Sequence, residues 1–342
     1  MIKKKSMKIA FLNIYQGLIN RGAETFVKEV SERLAKDHEV KIFSGKKIPP
    51  ARWSVLWRLF IDPQGLIIAW FTLKCLPEIW REKYDVVIPV NGGWQAGLVR
   101  LATWLYGGKM VVSGQSGMGW DDRNNLWCFP DAFVPISSSA SRWAGKVNPF
   151  VKVKYIPNGV NFNKFKPGEE KINFFLKKPI ILCVAALAKS KRIDLVIKAV
   201  AKLENVSLLV VGKGPEKDKL QALGTRLLGT RFEINNFDYE EMPAVYRSAD
   251  LFTLVSEPYY SFENVLVEAM ATGLGVVANN DPIRREIVGK AGILVNPKKV
   301  QEYSLSLKKA LEADWSGKPR KQAAKFDWDK TAQKYEELIK KL

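Results

Sequence analysis

One acid of this chain sits in a stretch that leaves little room for water. Val265 to Met270 is an apolar run with a single carboxylate, Glu268, inside it, and such a group costs free energy unless something pairs with it. Two neighbouring hydroxyls of a ligand, as on a ribose, would pair with it, and so would backbone amides at a helix start. Cations gather elsewhere: Lys189, Lys191 and Arg192 join a strand-like run to a helix-like one. There they could meet negative charge developing on a phosphate group, or serve as solvated surface charge beside a turn. Glycines mark two further strand ends. Gly22, in Asn20-Arg21-Gly22-Ala23-Glu24, lets backbone amides approach a phosphate at a helix N-terminus, or makes a plain tight turn. Gly212-Lys213-Gly214-Pro215 permits a sharp turn, with Pro215 suited to the first turn of a helix.

These residues need elements to carry them, and the pattern supplies two series. Strand-like runs at Lys8–Asn13, Val40–Phe43, Val86–Val90 and Met110–Ser113 belong to the first, with a helix at Ala23–Ala35. The second has strands at Ile180–Ala185, Ser207–Val211, Leu251–Val255 and Val276–Ala278. Helices at Arg192–Lys202, Glu240–Arg247, Asn264–Thr272 and Asp281–Val288 separate them. Alternation of this kind predicts two parallel-sheet α/β domains. The turn-rich stretch from Ile156-Pro157-Asn158-Gly159-Val160 to Pro167-Gly168-Glu169-Glu170-Lys171 places the boundary near residue 170, giving domains 1–170 and 171–342. The last helix, Asp329–Lys341, follows Phe326-Asp327-Trp328, an aromatic cluster suited to docking back on the N-terminal domain.

The length, 342 residues, and a hydrophobic share of 47% suit two folded domains, each with its own core. Cys75, Cys128 and Cys183 are odd in number and widely spaced, which predicts buried thiols in a reducing cytoplasm and neither a metal site nor a disulfide framework. Lys3-Lys4-Lys5 leads straight into Met7–Leu12, too short for a secretory leader, and Leu66–Leu73 is expected to be broken by Lys74 and Pro77 before it could span a bilayer. The formal net charge of +19 divides as +12 over residues 1–171 and +7 over the remainder. It invites an anionic surface. Nucleic acid is not the expected partner, since no zinc-finger, RNP or basic-zipper pattern accompanies it. Trp53, Leu56, Trp57 and Phe60, spaced as one face of a helix beside Arg52 and Arg58, could lie in a membrane interface or close the first domain's core. Leu66, Ile67, Trp70, Phe71 and Leu73 continue that apolar supply.

Taken together these segments resemble the retaining glycosyltransferases of the GT-B fold, family 4, over nearly the whole chain. Glu268 matches the second of two glutamates that the family carries eight residues apart, the one that contacts ribose hydroxyls. The position of the first is Tyr260 here, and Glu263 stands at a usual glycine. Asn264 and Val265 would offer amides to the phosphates. Lys191 matches the family lysine that follows Gly-Arg-Leu, while Ala185 and Ala186 replace the glycine and arginine, with Lys189 and Arg192 as compensating cations. Gly212 begins the family's Gly-x-Gly-Pro turn, and Phe237, in Asn235-Asn236-Phe237-Asp238, lies where the base is held or packs in the core. Asp281–Gly289, Ala291–Val295 and Ile156–Val160 also follow the family pattern. A family histidine is absent: Gly114-Gln115-Ser116-Gly117 stands there, so Gln115 can hydrogen-bond a sugar but cannot carry a proton at neutral pH. The one histidine, His38, reads as part of a structural turn.

The resemblance implies two Rossmann-like domains facing a cleft and a retaining transfer of a hexose from a UDP- or GDP-sugar. The acceptor would be a glycan, a lipid-linked molecule or a small-molecule hydroxyl. Lys191, Glu268 and Gln115 would be the catalytic residues, without a metal or other cofactor, in a cytoplasmic protein peripheral to the inner face of a membrane. The alternative is a non-catalytic relative that binds a nucleotide sugar or glycan, favoured by Tyr260, Ala186 and Gln115.

Overall fold

A computed structural model describes residues 6–19, 21–50, 56–258 and 262–342. It divides the chain into two units, one of residues 1–158 with 328–342 and one of residues 159–327.

The first unit opens with β1 (Lys8–Asn13), α1 (Gly22–Leu34), β2 (Glu39–Ser44), α2 (Pro63–Glu82) and β3 (Val86–Pro89). It continues with α3 (Trp94–Tyr106), β4 (Lys109–Gly114), α4 (Trp120–Trp127), β5 (Ala132–Pro135) and α5 (Ser138–Val147). All five strands are parallel, in the order β2-β1-β3-β4-β5. Alternation along β1 serves two cores. Ile9 and Phe11 join Phe26, Val27 and Val30 of α1 on one face, while Ala10 and Leu12 meet Cys75 and Ile79 of α2 and Val99 of α3 on the other.

In the second unit come β6 (Ile180–Val184), α6 (Ile193–Val200), β7 (Ser207–Val211), α7 (Lys217–Leu228), β8 (Phe232–Asn235) and α8 (Met242–Ser248). Then follow β9 (Leu251–Leu254), α9 (Asn264–Ala271), β10 (Val276–Asn279), α10 (Pro282–Val288), β11 (Gly292–Val295), α11 (Val300–Glu312) and α12 (Lys318–Ala323). The six strands are again parallel, ordered β11-β10-β9-β6-β7-β8. A final helix, α13 (Trp328–Ile339), returns to the first unit and buries Trp328, Tyr335, Leu338 and Ile339 in the core shared with α1. The Phe26 and Tyr335 rings lie 5.4 Å apart, and Tyr335 Oη meets Ser113 Oγ at 2.8 Å.

Three sequence expectations change. The division falls at Asn158/Gly159, not near residue 170, because Val160 bridges Asp327 in the second unit and Phe165 is buried there against Tyr239 and Tyr246. Pro77 does not end the helix begun by the Asp62 cap, and α2 runs to Glu82. The proline forfeits only a bond to the carbonyl of Leu73, an exposed residue whose carbonyl solvent can serve. The segment Trp57–Glu82 is consequently the one candidate, among the described residues, long and apolar enough to cross a membrane, and its most apolar 18-residue window is 33% buried. Finally, Leu56, Trp57 and Phe60 form no helical stripe: a single 3-10 turn, Trp57–Leu59, ends at Phe60 in left-handed backbone, and Phe60 is buried. Arg52 and Trp53 lie outside the described residues.

Candidate active site

In an open parallel sheet, ligands bind at the carboxyl ends of the strands where the strand order reverses. In the second unit that point lies between β6 and β9. The segment leaving β6 carries Lys189, Lys191 and Arg192, and the segment leaving β9 runs through Ser256 to Glu263 and into α9. Backbone joins the two segments, Glu257 N–H donating to the carbonyl of Ser190 at 2.8 Å.

Gly212 and Gly214 shape the first segment. Leu187 N–H donates to the carbonyl of Lys213 and Glu216 N–H to that of Leu187, so the turn after β7 lies directly against residues 185–188. A Cβ on Gly212 would come 1.9 Å from the carbonyl oxygen of Ala185. Only glycine tolerates that approach. The exposed Lys189 opens a short 3-10 turn, which Arg192 ends in left-handed backbone with Nη1 3.4 Å from the carbonyl of Ser256.

Lys191 and Glu263 meet across 72 residues of sequence. Lys191 Nζ donates to both carboxylate oxygens of Glu263, at 2.7 and 2.9 Å, and Arg284 Nη2 reaches Glu263 Oε1 at 3.1 Å. Arg284 is fully buried; its Nη2 also donates to Ser256 Oγ, and its Nη1 lies 3.5 Å from Asp281 Oδ2. Burial alone would raise the Glu263 carboxyl, but Lys191 and Arg284, with the hydrogen bonds from Lys191 and Ser256, hold it below the usual carboxylate range. Glu263 caps α9 in left-handed backbone, φ 61° and ψ 72°, the kind of conformation glycine adopts without strain. Asn264 and Val265 are the first helical residues beyond it. Tyr260, at the first family glutamate, lies outside the described residues, as does Asn20.

Glu268 stands in the second turn of α9, not at its start, and its partner is a side chain. Tyr246 Oη of α8 donates to Glu268 Oε2 at 2.8 Å. Burial, reinforced by the neighbouring Glu268 charge, pushes the Tyr246 phenol well above its ordinary value, so it stays a donor at neutral pH. Phe237 follows β8 at the same end of the sheet, half-buried, its ring edge-on to Phe174 with centroids 5.9 Å apart.

The first sheet has its own reversal, between β1 and β3. Asn13 ends β1, receives a bond from Asn91 Nδ2 and donates one to Glu24 of α1. Asn91 Oδ1 in turn accepts from Ile14 N–H at 2.9 Å. Gly22 is the first residue of α1, exposed. Gln115 is clasped: its carboxamide exchanges two hydrogen bonds with Asn158, at 3.1 and 2.9 Å, and donates to Ser113 Oγ. Asp122 of α4 is buried beside Gly114. Burial, and then the Asp121 charge, hold its carboxyl well above the usual range. His38 is structural, its Nδ1 accepting from Met7 N–H at 3.2 Å.

The sequence reading singled out Glu268, Lys191 and Glu263; it did not single out the side chains that pair with them, Tyr246 and Arg284, nor the buried Asp122 and the Asn13–Asn91 pair. The asparagines had a readable signal, Asn13 ending one strand-like run and Asn91 following another, and Arg284 lay in the family-like segment Asp281–Gly289. Among the described residues no three His, Cys, Asp or Glu side chains gather as a metal site.

Both units have counterparts among known proteins. The model for glycosyltransferase family 4 matches residues 20–164, and that for glycosyl transferases group 1 matches residues 165–327. A phosphatidyl-myo-inositol mannosyltransferase of Mycolicibacterium smegmatis is 30% identical over 216 residues, 57% of this chain and 53% of the relative. The chain thus spans about half the length of this curated relative. Sucrose-phosphate synthase from Thermosynechococcus elongatus superposes with a TM-score of 0.80 at 20% identity, covering 98% of each chain. The Anabaena protein HepE, in complex with UDP and glucose, gives 0.76 at 19% identity, covering 98% of this chain and all of that one. With two parallel-sheet α/β domains of this topology and a family model matched on each, the chain belongs to the family 4, group 1 glycosyltransferases of the GT-B fold.

Proposed function

We propose that this protein transfers a hexose from a nucleotide-diphosphate sugar to a hydroxyl acceptor, with retention of configuration and without a metal. The observation that carries the reading is the convergence, at the strand-order reversal of the second sheet, of a buried carboxylate held by Tyr246 with a cationic segment and the N-terminus of α9. Glu268 would accept hydrogen bonds from the ribose hydroxyls. The amides of Asn264 and Val265, with Lys189, Lys191 and Arg192, would take the diphosphate. In the transfer, the bond from the anomeric carbon to the diphosphate oxygen breaks and a bond to the acceptor oxygen forms on the same face. The acceptor's proton passes to the departing phosphate oxygen, so neither a protein nucleophile nor the missing imidazole is needed. Fixed cations and amides stabilise the charge that develops on the leaving group. Gln115, clasped by Asn158, orients the loop after β4 instead of handling protons. A lipid-linked or glycan acceptor fits the basic, apolar first unit, and UDP is the donor nucleotide suggested by the Anabaena neighbour.

A second reading is favoured by one contact: Lys191 already carries the Glu263 carboxylate, so a non-catalytic binder would use the pocket without turnover. Donor hydrolysis or transfer by the purified chain separates the two. For either, Glu268→Gln should weaken UDP or GDP by about tenfold or more, since a charge-assisted hydrogen bond to the ribose is lost. Calorimetric titration of the folded variant checks this, and unchanged affinity would remove Glu268 from the ribose role.

A further inference from the structure

The two helical layers of the first unit differ in their outer faces. No large apolar side chain of α1 or α13 is exposed, whereas α2 turns Leu66, Trp70, Leu73 and Trp80 to solvent. The opposite stripe of α2, Ile68, Thr72, Cys75 and Ile79, is buried on the sheet, so this helix is apolar on both sides. Neighbouring α3 exposes Leu101, Trp104 and Leu105, each by more than half. The helices run side by side, Trp80 meeting Tyr106 edge-on with centroids 6.1 Å apart. Past α3 the face continues into a depression of about 550 Å³ lined by Trp104, Phe129, Phe150 and Lys152, with Arg100 and Asp131 paired at its wall. The exposed Lys74 stands 5.1 Å from the Trp70 centroid, while Arg100, 4.7 Å from that of Trp104, is largely buried and paired with Asp131 at 2.5 Å. Arg81 and Lys83 mark the end of α2 in solvent.

We infer that the outer face of α2 and α3 is a docking surface for an anionic lipid bilayer, lying in its interface without spanning it. A contiguous apolar face of this extent marks an interaction site, and its composition selects the occupant. Tryptophan with an adjacent Lys or Arg suits the headgroup level, where the ring enters the acyl boundary and the cation meets lipid phosphate. A second copy would set the same cations against one another. Spanning is excluded by the buried stripe of α2, which holds the helix on the sheet. The surface lies outside the donor site, so the inference does not rest on glycosyl transfer.

Vesicle flotation tests it, using phosphatidylcholine and phosphatidylglycerol in equal parts against phosphatidylcholine alone. The intact protein should float with the mixed vesicles at low salt, less with neutral ones, and detach as salt rises. Trp70→Ser with Leu73→Ser, or Trp104→Ser with Leu105→Ser, should each lower partitioning by about tenfold or more, with melting unchanged because all four side chains are exposed. Failure to bind at low ionic strength, undiminished binding by the combined variant, or a dimer of the wild type that the variant breaks would each overturn the inference. Loss of vesicle binding with donor turnover intact would leave the catalytic reading standing, and the reverse result would leave this one.

Discussion

Glu263 illustrates how one side chain can both close a site and set its pH limits. Its carboxylate faces Lys191 and Arg284, and with Asp281 beside Arg284 the buried charges balance. Such an arrangement resists the loss of any member, because a partner left behind is a buried charge without compensation. The Glu263 carboxyl titrates below its ordinary value of about 4.5. It therefore contributes stability that is fully present above that pH and is lost as pH falls through the folded value. Glu263→Gln should cost about 3–5 kcal/mol at neutral pH, from Lys191 and Arg284 left unpaired. Its melting temperature should then fall less steeply than the wild type's on acidification below about pH 4. A pH series of thermal melts followed by near-UV circular dichroism reads both effects, and parallel acid limbs would show that Glu263 is not the titrating group.

At the level of elements, the two glycines that sequence spacing marked after β7 are required by a close approach, and this can be tested against a glycine that is not. Gly212→Ala would drive a methyl into the Ala185 carbonyl, displacing the segment that carries Lys189 to Arg192. It should destabilise the second unit by about 1–3 kcal/mol and weaken nucleotide binding. Gly145→Ala, inside α5 with no atom within 4 Å of the added carbon, should stabilise the first unit by about 0.5–1 kcal/mol. Chemical denaturation of each variant gives both signs, and destabilisation of similar size at both positions would contradict the steric account. The same elements show what the sequence made legible. β1, β6, β7 and β9 are short apolar runs bounded by polar turns, and each was readable on its own. β8 and β11 were not, being four-residue edge strands with partly exposed faces, β8 interrupted by Glu233 and β11 holding an apolar run of only three residues, Ile293 to Val295. The partners of the acids were hidden for a different reason. Tyr246 lies 22 residues from Glu268 and Lys191 lies 72 from Glu263. No local period links them; only the strand order brings them together. Leu66, Trp70 and Leu73 were readable as apolar supply, but which side of α2 faces solvent was not, because a helix apolar on both sides loses the periodicity by which a surface helix is recognised.

For the whole molecule, the decisive feature is that the chain's last helix completes the unit that its first residues begin. Trp328, Tyr335, Leu338 and Ile339 are each at most 4% exposed and share one core with α1 and β1. Polar ties fix the register of that packing: Thr331 Oγ1 donates to the Pro157 carbonyl at 3.0 Å, and Arg33 of α1 pairs with Asp329. Burying four large side chains is worth about 6–12 kcal/mol, at 1.5–3 kcal/mol each. That equals most of the 5–15 kcal/mol by which a domain is stable. Removing residues 328–342 should therefore unfold the first unit, although every residue of its sheet remains. The second unit, whose six strands and helices α6 to α12 are untouched, should stay folded and still bind nucleotide. Trp328→Ala is the graded version, costing about 3–5 kcal/mol in the first unit alone. Hydrogen exchange resolved by peptide tests both: β1, β3 and β4 should lose protection in the truncated chain while β6, β7 and β9 keep theirs. Protection retained in the first sheet would mean that α1 and the strands suffice as a core, and α13 would then be an accessory to the unit instead of a member of it.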